Sequence, residues 1–237
     1  MTTHYTTPGT EDGFTAAIRL LAAAVGVGVT AGIIFTLFPA LDMAVIAIFF
    51  DPPSGLFLGE SSFVPAVRDG FQILFAGSCI IAVGGLLLGL FRKVSLFGQS
   101  AIHWFYFLVC AAVGPGLIAN LIFKDQWGRA RPYQISEFGG DMTYSTPLIP
   151  STQCDYNCSF VSGEAATIYL LFFALALMFP RYRIALLVVG ILAGTLSGIV
   201  RMSQGGHFPS DVVFAGVFMA AVSALLYLGF FSIPKRA

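Results

Sequence analysis

Six stretches of this chain are apolar over roughly the length that crosses a bilayer, about 20 residues, and nothing else in the sequence constrains its fold so strongly. They run from Phe14 to Phe38, Phe71 to Phe91, Ala101 to Phe123, Val161 to Phe179, Ile184 to Val200 and Val212 to Ile233. In hydrocarbon a backbone must satisfy its own hydrogen bonds, so stretches of this kind are read as helices. The 237 residues hold six such helices, short loops and one domain. Composition agrees, with 57 % hydrophobic and 10 % charged residues and a mean hydropathy of +0.86. A soluble domain carries about 25 % charge, so soluble, disordered and coiled-coil classes are excluded. Net charge is zero and no basic run exceeds two residues, which points away from nucleic acid and from a polybasic lipid anchor. The expected fold class is an all-α, polytopic membrane bundle with six transmembrane helices. There is no internal repeat and no low-complexity segment.

The first span follows a polar leader containing Glu11 and Asp12, lacks a basic flank, and is longer than a signal-peptide core. It is expected to be a retained helix, with residues 1–13 as a cytoplasmic tail and 14–237 as a single transmembrane domain. Six spans place both termini on one side. Arg19, Arg92, Lys93, Arg181, Arg183, Lys235 and Arg236 fall on that side against Glu11 and Asp12, so the positive-inside rule makes it cytoplasmic. The opposite side carries Arg68, Lys124, Arg129, Arg131 and Arg201 against ten acids. Basic residues gathered at translocated helix ends ask for a reason, such as an anion to bind. The outer loops, 39–70 and 124–160, are long enough to be functional, and the cytoplasmic ones are too short to house chemistry. Within the first outer loop, Met43 to Phe50 and Leu56 to Leu58 are apolar enough to form an interfacial or re-entrant piece.

Three outer segments contain nearly every polar group that hydrophobic patterning leaves unexplained. Lys124-Asp-Gln-Trp-Gly-Arg-Ala-Arg131-Pro132 leaves the third span. Cys158-Ser-Phe-Val-Ser162-Gly163-Glu164 leads into the fourth, and Arg201-Met-Ser-Gln-Gly-Gly-His207-Phe-Pro-Ser-Asp211 joins the fifth to the sixth. A phosphomonoester carries close to two negative charges, and phosphoryl transfer spreads charge over three non-bridging oxygens. Lys124, Arg131 and Arg201 supply three cations, with the arginine fork suited to bidentate phosphate contact. Ser162 and Gly163 start a helix whose free N–H groups point outward, and Pro209 has the place of a first-turn proline. His207 is the only histidine in these segments, and Asp211, four residues on, has the spacing to hydrogen-bond one imidazole nitrogen and leave the other to attack phosphorus.

The three segments resemble the signature of the type-2 phosphatidic acid phosphatase family, six-helix lipid phosphate phosphatases related to vanadium haloperoxidases. Lys124 and Arg131-Pro132 match the family's Lys-x6-Arg-Pro; Ser162 and Gly163 match the centre of Pro-Ser-Gly-His; Arg201, His207 and Asp211 match Ser-Arg-x5-His-x3-Asp. Val161, Glu164 and Val200 stand where the family has Pro, His and Ser. The resemblance covers the chain from about residue 70 to its end, and Glu164 resembles a lipid A phosphatase-like subgroup. It implies a metal-independent hydrolase with no cofactor, in which Lys124, Arg131, Arg201, Ser162 and Gly163 bind phosphate, His207 forms a phosphohistidine, and Asp211 orients it. The family's second histidine handles the leaving-group proton, and Glu164 is placed to do so here. A carboxyl titrates from near ~4.3, three neighbouring cations lower it and burial at a helix end raises it, and the place of Glu164 in the motif leads to the expectation of an acid-shifted pH optimum.

Each residue also has a plainer reading. A lone Arg or Lys at a helix end snorkels to headgroups, His207 alone would be an interfacial histidine, and Glu164 would mark a disabled enzyme. Arg129 lies outside the motif and is read either as contacting substrate or Asp125 or as doing nothing specific; His103 is read as a packed or interfacial residue on the cytoplasmic side. Cys79 and Cys110 are small core residues, while Cys154 and Cys158 form either a disulfide or two free thiols. No metal-ligand spacing occurs. The expected function is hydrolysis of a phosphate ester, or of the terminal phosphate of a pyrophosphate, on an amphipathic lipid at the outer face of a bacterial-type inner membrane. Lipid A phosphate, undecaprenyl pyrophosphate, phosphatidylglycerol phosphate and phosphatidic acid are the candidate substrates, with lipid A favoured by Glu164. A lipid-to-lipid phosphotransferase and a non-catalytic lipid-phosphate binding or transport protein are the alternatives. Partners are the lipid substrate and the surrounding membrane lipids, with no nucleic acid and no protein partner evident.

Overall fold

A computed structural model describes residues 11–60 and 63–231. Most of the expected cytoplasmic tail, together with Ile233, Lys235 and Arg236, lies outside the described residues. The helices are α1 (Glu11–Leu37), the short α2 (Ala40–Ala47), α3 (Phe63–Leu87), α4 (Ala101–Ala111), α5 (Gly163–Met178), α6 (Arg183–Ser203) and α7 (Pro209–Phe231). α3 runs on through a π-wound turn, Leu88–Arg92, and α4 through a π-wound segment, Ala112–Lys124, that accommodates Pro115. A two-residue hairpin, β1 (Phe50–Asp51) and β2 (Leu56–Phe57), pairs Phe50 with Phe57. The fold is an all-α polytopic membrane bundle.

Among the described residues, five helices are long and apolar enough to cross a membrane, and α5, with 16 residues, is shorter. At 1.5 Å per residue α5 spans about 24 Å against the ~30 Å hydrocarbon core. It is the central helix, packed by α3, α4, α6 and α7 and buried along nearly its whole length, so it reads as apolar all round. The outer helices carry large exposed side chains instead, Ile73, Ile80, Leu90, Ile184 and Leu192 among them, as a lipid-facing surface does.

α1 and α7 pack antiparallel. Gly28 lies against Val217 and Gly32 near Phe214, while Gly13 meets Tyr227. Small residues let the two backbones approach closely. The start of α1 and the end of α7 therefore share one end of the bundle. The opposite end gathers the close of the α4 continuation, the start of α5, the end of α6 and the start of α7.

The loops covering that end are ordered by backbone bonds rather than by regular elements. In the 124–160 loop, Cys158 N–H donates to Lys124 O (2.8 Å), Ser159 N–H to Arg129 O (2.8 Å) and Ser151 N–H to Trp127 O (2.9 Å). Cys154 and Cys158 are joined as a disulfide, resolving the two readings of that pair. Gly128, at φ +69°, leaves no room for a Cβ beside the Ser151 carbonyl. The first outer loop ends earlier than expected. Residues 63–70 are helical, because Pro65 lies within the first turn and Phe63, Val64, Ala66 and Val67 extend the apolar run past the charges at 68 and 69. Arg68 is thereby a helix residue pointing into the site. Toward the other end, His103 stacks on Phe231 at 4.8 Å, as a packing residue does.

Candidate active site

The eight residues expected to form a site come together at this end. Lys124 closes the α4 continuation, and Arg131 follows it across a short link. Ser162 is the N-cap of α5, with Gly163 and Glu164 in the first turn. Arg201 is in the last turn of α6, His207 in the link to α7, and Asp211 in the first turn of α7, which starts at Pro209 as expected. The α6 terminus is a Schellman turn. Gly206 N–H reaches Arg201 O (2.9 Å) and Gly205 N–H reaches Met202 O (2.9 Å), with Gly205 left-handed at φ +65°. A Cβ on Gly206 would come within 2.8 Å of Arg201 Nη2, so glycine there leaves the guanidinium its space.

His207 is fully buried, and its Nδ1 lies 2.7 Å from the backbone carbonyl of Ser159. A carbonyl only accepts, so Nδ1 carries the proton and Nε2 presents its lone pair. Burial, working against the charges of Asp211 and Glu164, brings the imidazole down to about 4. At that value the imidazole is neutral at physiological pH. The expected Asp211 to imidazole hydrogen bond is not made: Asp211 Oδ2 stands 3.8 Å from Nδ1, beyond bonding range. Asp211 acts one step removed. It accepts from Phe208 N–H (2.8 Å) and from Ser159 Oγ–H (2.5 Å), fixing both the residue after His207 and the residue whose carbonyl holds the ring.

Behind Asp211 lies a buried network of residues outside the three motifs. Arg129 is completely buried and contacts neither Asp125 nor an open site. Its guanidinium is paired with Asp211 and with Asp42 of α2 (2.7 Å), bonds Ser210 Oγ (2.8 Å) and lies 4.5 Å over the Phe208 ring. Asp42 accepts from Arg129, from Ser210 N–H (2.9 Å), from Ser210 Oγ–H (2.6 Å) and from Tyr144 O–H (3.0 Å). Asp42 was visible in the sequence as an unaccompanied acid inside the apolar run Ala40 to Phe50, a costly placement in hydrocarbon that signals a partner.

The cations converge on the open side of His207. Arg201 Nε lies 3.3 Å from Glu164 Oε1, and Arg68, absent from the expected set, places Nη2 3.2 Å from the same oxygen. Glu164 Oε2 is 3.9 Å from His207 Nε2. Lys124 Nζ lies over Gly163, 2.7 Å from where a Cβ would be. Arg131 is oriented by the Asn157 carbonyl (2.9 Å) and side-chain oxygen (2.7 Å). Among the described residues, buried Ser162 Oγ, Arg201 Nε, Arg68 Nε, Glu164 Oε2 and His207 Nε2 have no hydrogen-bond partner. Cations gathered around Glu164 beside a bare imidazole nitrogen have the chemistry to hold a tetrahedral anion.

The PAP2 superfamily profile matches residues 77–234. The chain belongs to this superfamily. It is 38 % identical over 203 residues to a lipid A 4'-phosphatase of Francisella tularensis subsp. novicida, an alignment covering 83 % of this chain and 89 % of that protein. A lipid A 4'-phosphatase of Rhizobium leguminosarum is 39 % identical over 117 residues, 48 % of this chain and 49 % of the other. A lipid A 1-phosphatase of Rhizobium etli is 37 % identical over 125 residues, 51 % of this chain and 49 % of the other. Among solved structures, a transmembrane PAP2 type phosphatidylglycerolphosphate phosphatase from Bacillus subtilis superposes with a TM-score of 0.52. At 19 % identity over 90 % of this chain and 98 % of that one, it supports the fold. The protein is a phosphatase of this membrane family.

Proposed function

We propose that the protein removes the 4'-phosphate of lipid A, at the periplasmic face of a bacterial inner membrane, through a phosphohistidine on His207. The observation that carries the chemistry is the imidazole itself: Nδ1 fixed on the Ser159 carbonyl, and Nε2 without a hydrogen-bond partner among the described residues. The 4'-phosphate assignment rests on the Francisella relative, which aligns over most of both chains. The periplasmic placement rests on the surplus of basic residues at the other end of the bundle.

The lipid's phosphate approaches between helix ends while its acyl chains remain in the bilayer. Lys124, Arg131 and Arg201 take the non-bridging oxygens together with Ser162 Oγ and the first N–H groups of α5. The Nε2 lone pair attacks phosphorus and the P–O ester bond breaks. Glu164 gives the leaving alkoxide its proton, which arrives on the substrate monoanion, whose second ionisation lies near ~6. Glu164 then takes a proton from water, the hydroxide attacks phosphorus, the P–Nε2 bond breaks, and the proton on Glu164 passes to the departing phosphate. Water and ester become alcohol and inorganic phosphate, with Nδ1–H on Ser159 throughout.

Purified protein in detergent, given lipid A bearing both phosphates, is expected to release one phosphate and leave a mass-spectral product lacking the 4' group. His207→Ala should release none. Loss of the 1-phosphate instead would reassign the position, and full turnover by His207→Ala would remove the mechanism.

A further inference from the structure

Glu164 lies where the reacting phosphate has to be. Its Oε1 is shared by Arg68 and Arg201, at 3.2 and 3.3 Å, and its Oε2 faces His207 Nε2 across 3.9 Å, neither atom having a hydrogen-bond partner among the described residues. A phosphorus poised for attack stands about 3 to 3.5 Å from Nε2, so its oxygens and this carboxylate cannot both occupy the space. The carboxylate has to leave the arginines as phosphate arrives. Arg201 then turns to the phosphate, and so can the other arginine gripping the same oxygen.

We propose that Arg68 is a fourth phosphate-binding cation, held in the free protein on Glu164 as a stand-in for the substrate's anion. The inference rests on the phosphatase reading of this site and adds a residue that its three motifs do not contain. Arg68 comes from α3, a helix that contributes no motif residue. Its side chain is 38 % exposed, yet its Nε is buried and unpartnered, and among the described residues Glu164 is its only ion-pair partner. It is close enough to Lys124 and Arg201 for their charges to oppose one another, a cost that a dianion relieves and a single carboxylate relieves only in part.

The plainer role for Arg68 is to neutralise Glu164, and a double-mutant cycle separates the two. Inorganic phosphate, the product, serves as probe. Its apparent Kd is read from thermal stabilisation of the detergent-solubilised full chain, alongside kcat and KM for lipid A. Arg68→Gln is expected to weaken phosphate binding about tenfold or more, as loss of a charge-assisted contact does, and to raise KM more than it lowers kcat. The loss should persist in a Glu164→Gln background, with Arg68→Lys intermediate. A loss in the parent that vanishes in the Glu164→Gln background, or no loss in either, overturns the proposal. Should Arg68→Gln not fold, Arg68→Lys carries the same comparison, because it keeps the charge and loses the fork. Absence of lipid hydrolysis by the wild type would count against the phosphatase reading alone, since phosphate binding is measured without turnover.

Discussion

Asp42→Asn removes one charge and no volume, and the structure predicts that it damages the protein about as much as Asp42→Ala. Asp42 Oδ2 accepts from Arg129 Nη2, Ser210 Oγ and Tyr144 O–H, while Oδ1 accepts from Ser210 N–H. An asparagine amide can satisfy the Ser210 N–H with its oxygen. Its NH2 then confronts a fully buried guanidinium that can only donate, although the Ser210 and Tyr144 hydroxyls can turn to accept from it. Breaking a buried ion pair costs about 3 to 5 kcal/mol; because Arg129 keeps Asp211, the lower figure, about 3 kcal/mol, applies. For a chain of this size that lowers Tm by roughly 6 to 12 °C. Activity should also fall below the wild type at temperatures where the variant remains folded, since Ser210, Arg129 and Asp211 together hold the turn bearing His207. Thermal unfolding in detergent and phosphate release at 20 °C below the variant's Tm, about the range where folding is complete, measure the two effects. A Tm within about 2 °C of wild type, or Asn clearly better than Ala, would refute the reasoning.

Other expectations follow from single features of the site. Burial holds His207 at about 4, so the acid limb of kcat/KM attributable to the nucleophile should fall near that value and not near the ordinary ~6.5; a 31P titration of the free lipid fixes the substrate's own contribution. Its sign on stability is set by the unfolded chain taking up the proton first: the His207 contribution is complete above ~6.5 and is lost as pH falls toward 4, which unfolding midpoints of wild type and His207→Gln across that interval detect. Gly163→Ala should raise KM at least several-fold with little change in Tm, because its Cβ would come 2.7 Å from Lys124 Nζ and displace a flexible side-chain end rather than backbone. Glu164→Gln should lose turnover across about pH 4 to 8, and wild-type turnover throughout that range would remove Glu164 from the proton transfers.

The helical bundle was legible because hydrocarbon leaves a backbone few choices, and the candidate site because Lys124, Arg131, Ser162, Gly163, Arg201, His207 and Asp211 stand at the spacings of the motifs that the chain resembles. What escaped has a common physical origin. Arg68 was read as part of a loop because Arg68-Asp69-Gly70 interrupts an apolar window, although a helix tolerates charges that point into a polar site. Asp42 meets Arg129 across 87 positions of sequence, and no local pattern carries a contact that long. The spacing of His207 and Asp211 suggested a direct bond, whereas the ring is held by a backbone carbonyl at Ser159, a group every residue possesses and no sequence distinguishes. Arg129 was recognised as a charge without a motif position; only packing shows that it is enclosed and structural rather than open to substrate.

The central claim is that His207 Nε2 takes the phosphoryl group. Rapid quenching of the enzyme with lipid A labelled at the 4'-phosphate, under alkaline conditions that preserve phosphohistidine, should yield label on the peptide containing His207. The label should disappear on acid treatment and be absent from His207→Ala. Label on another residue, or phosphate release from the wild type with no labelled protein at any time during turnover, would contradict it.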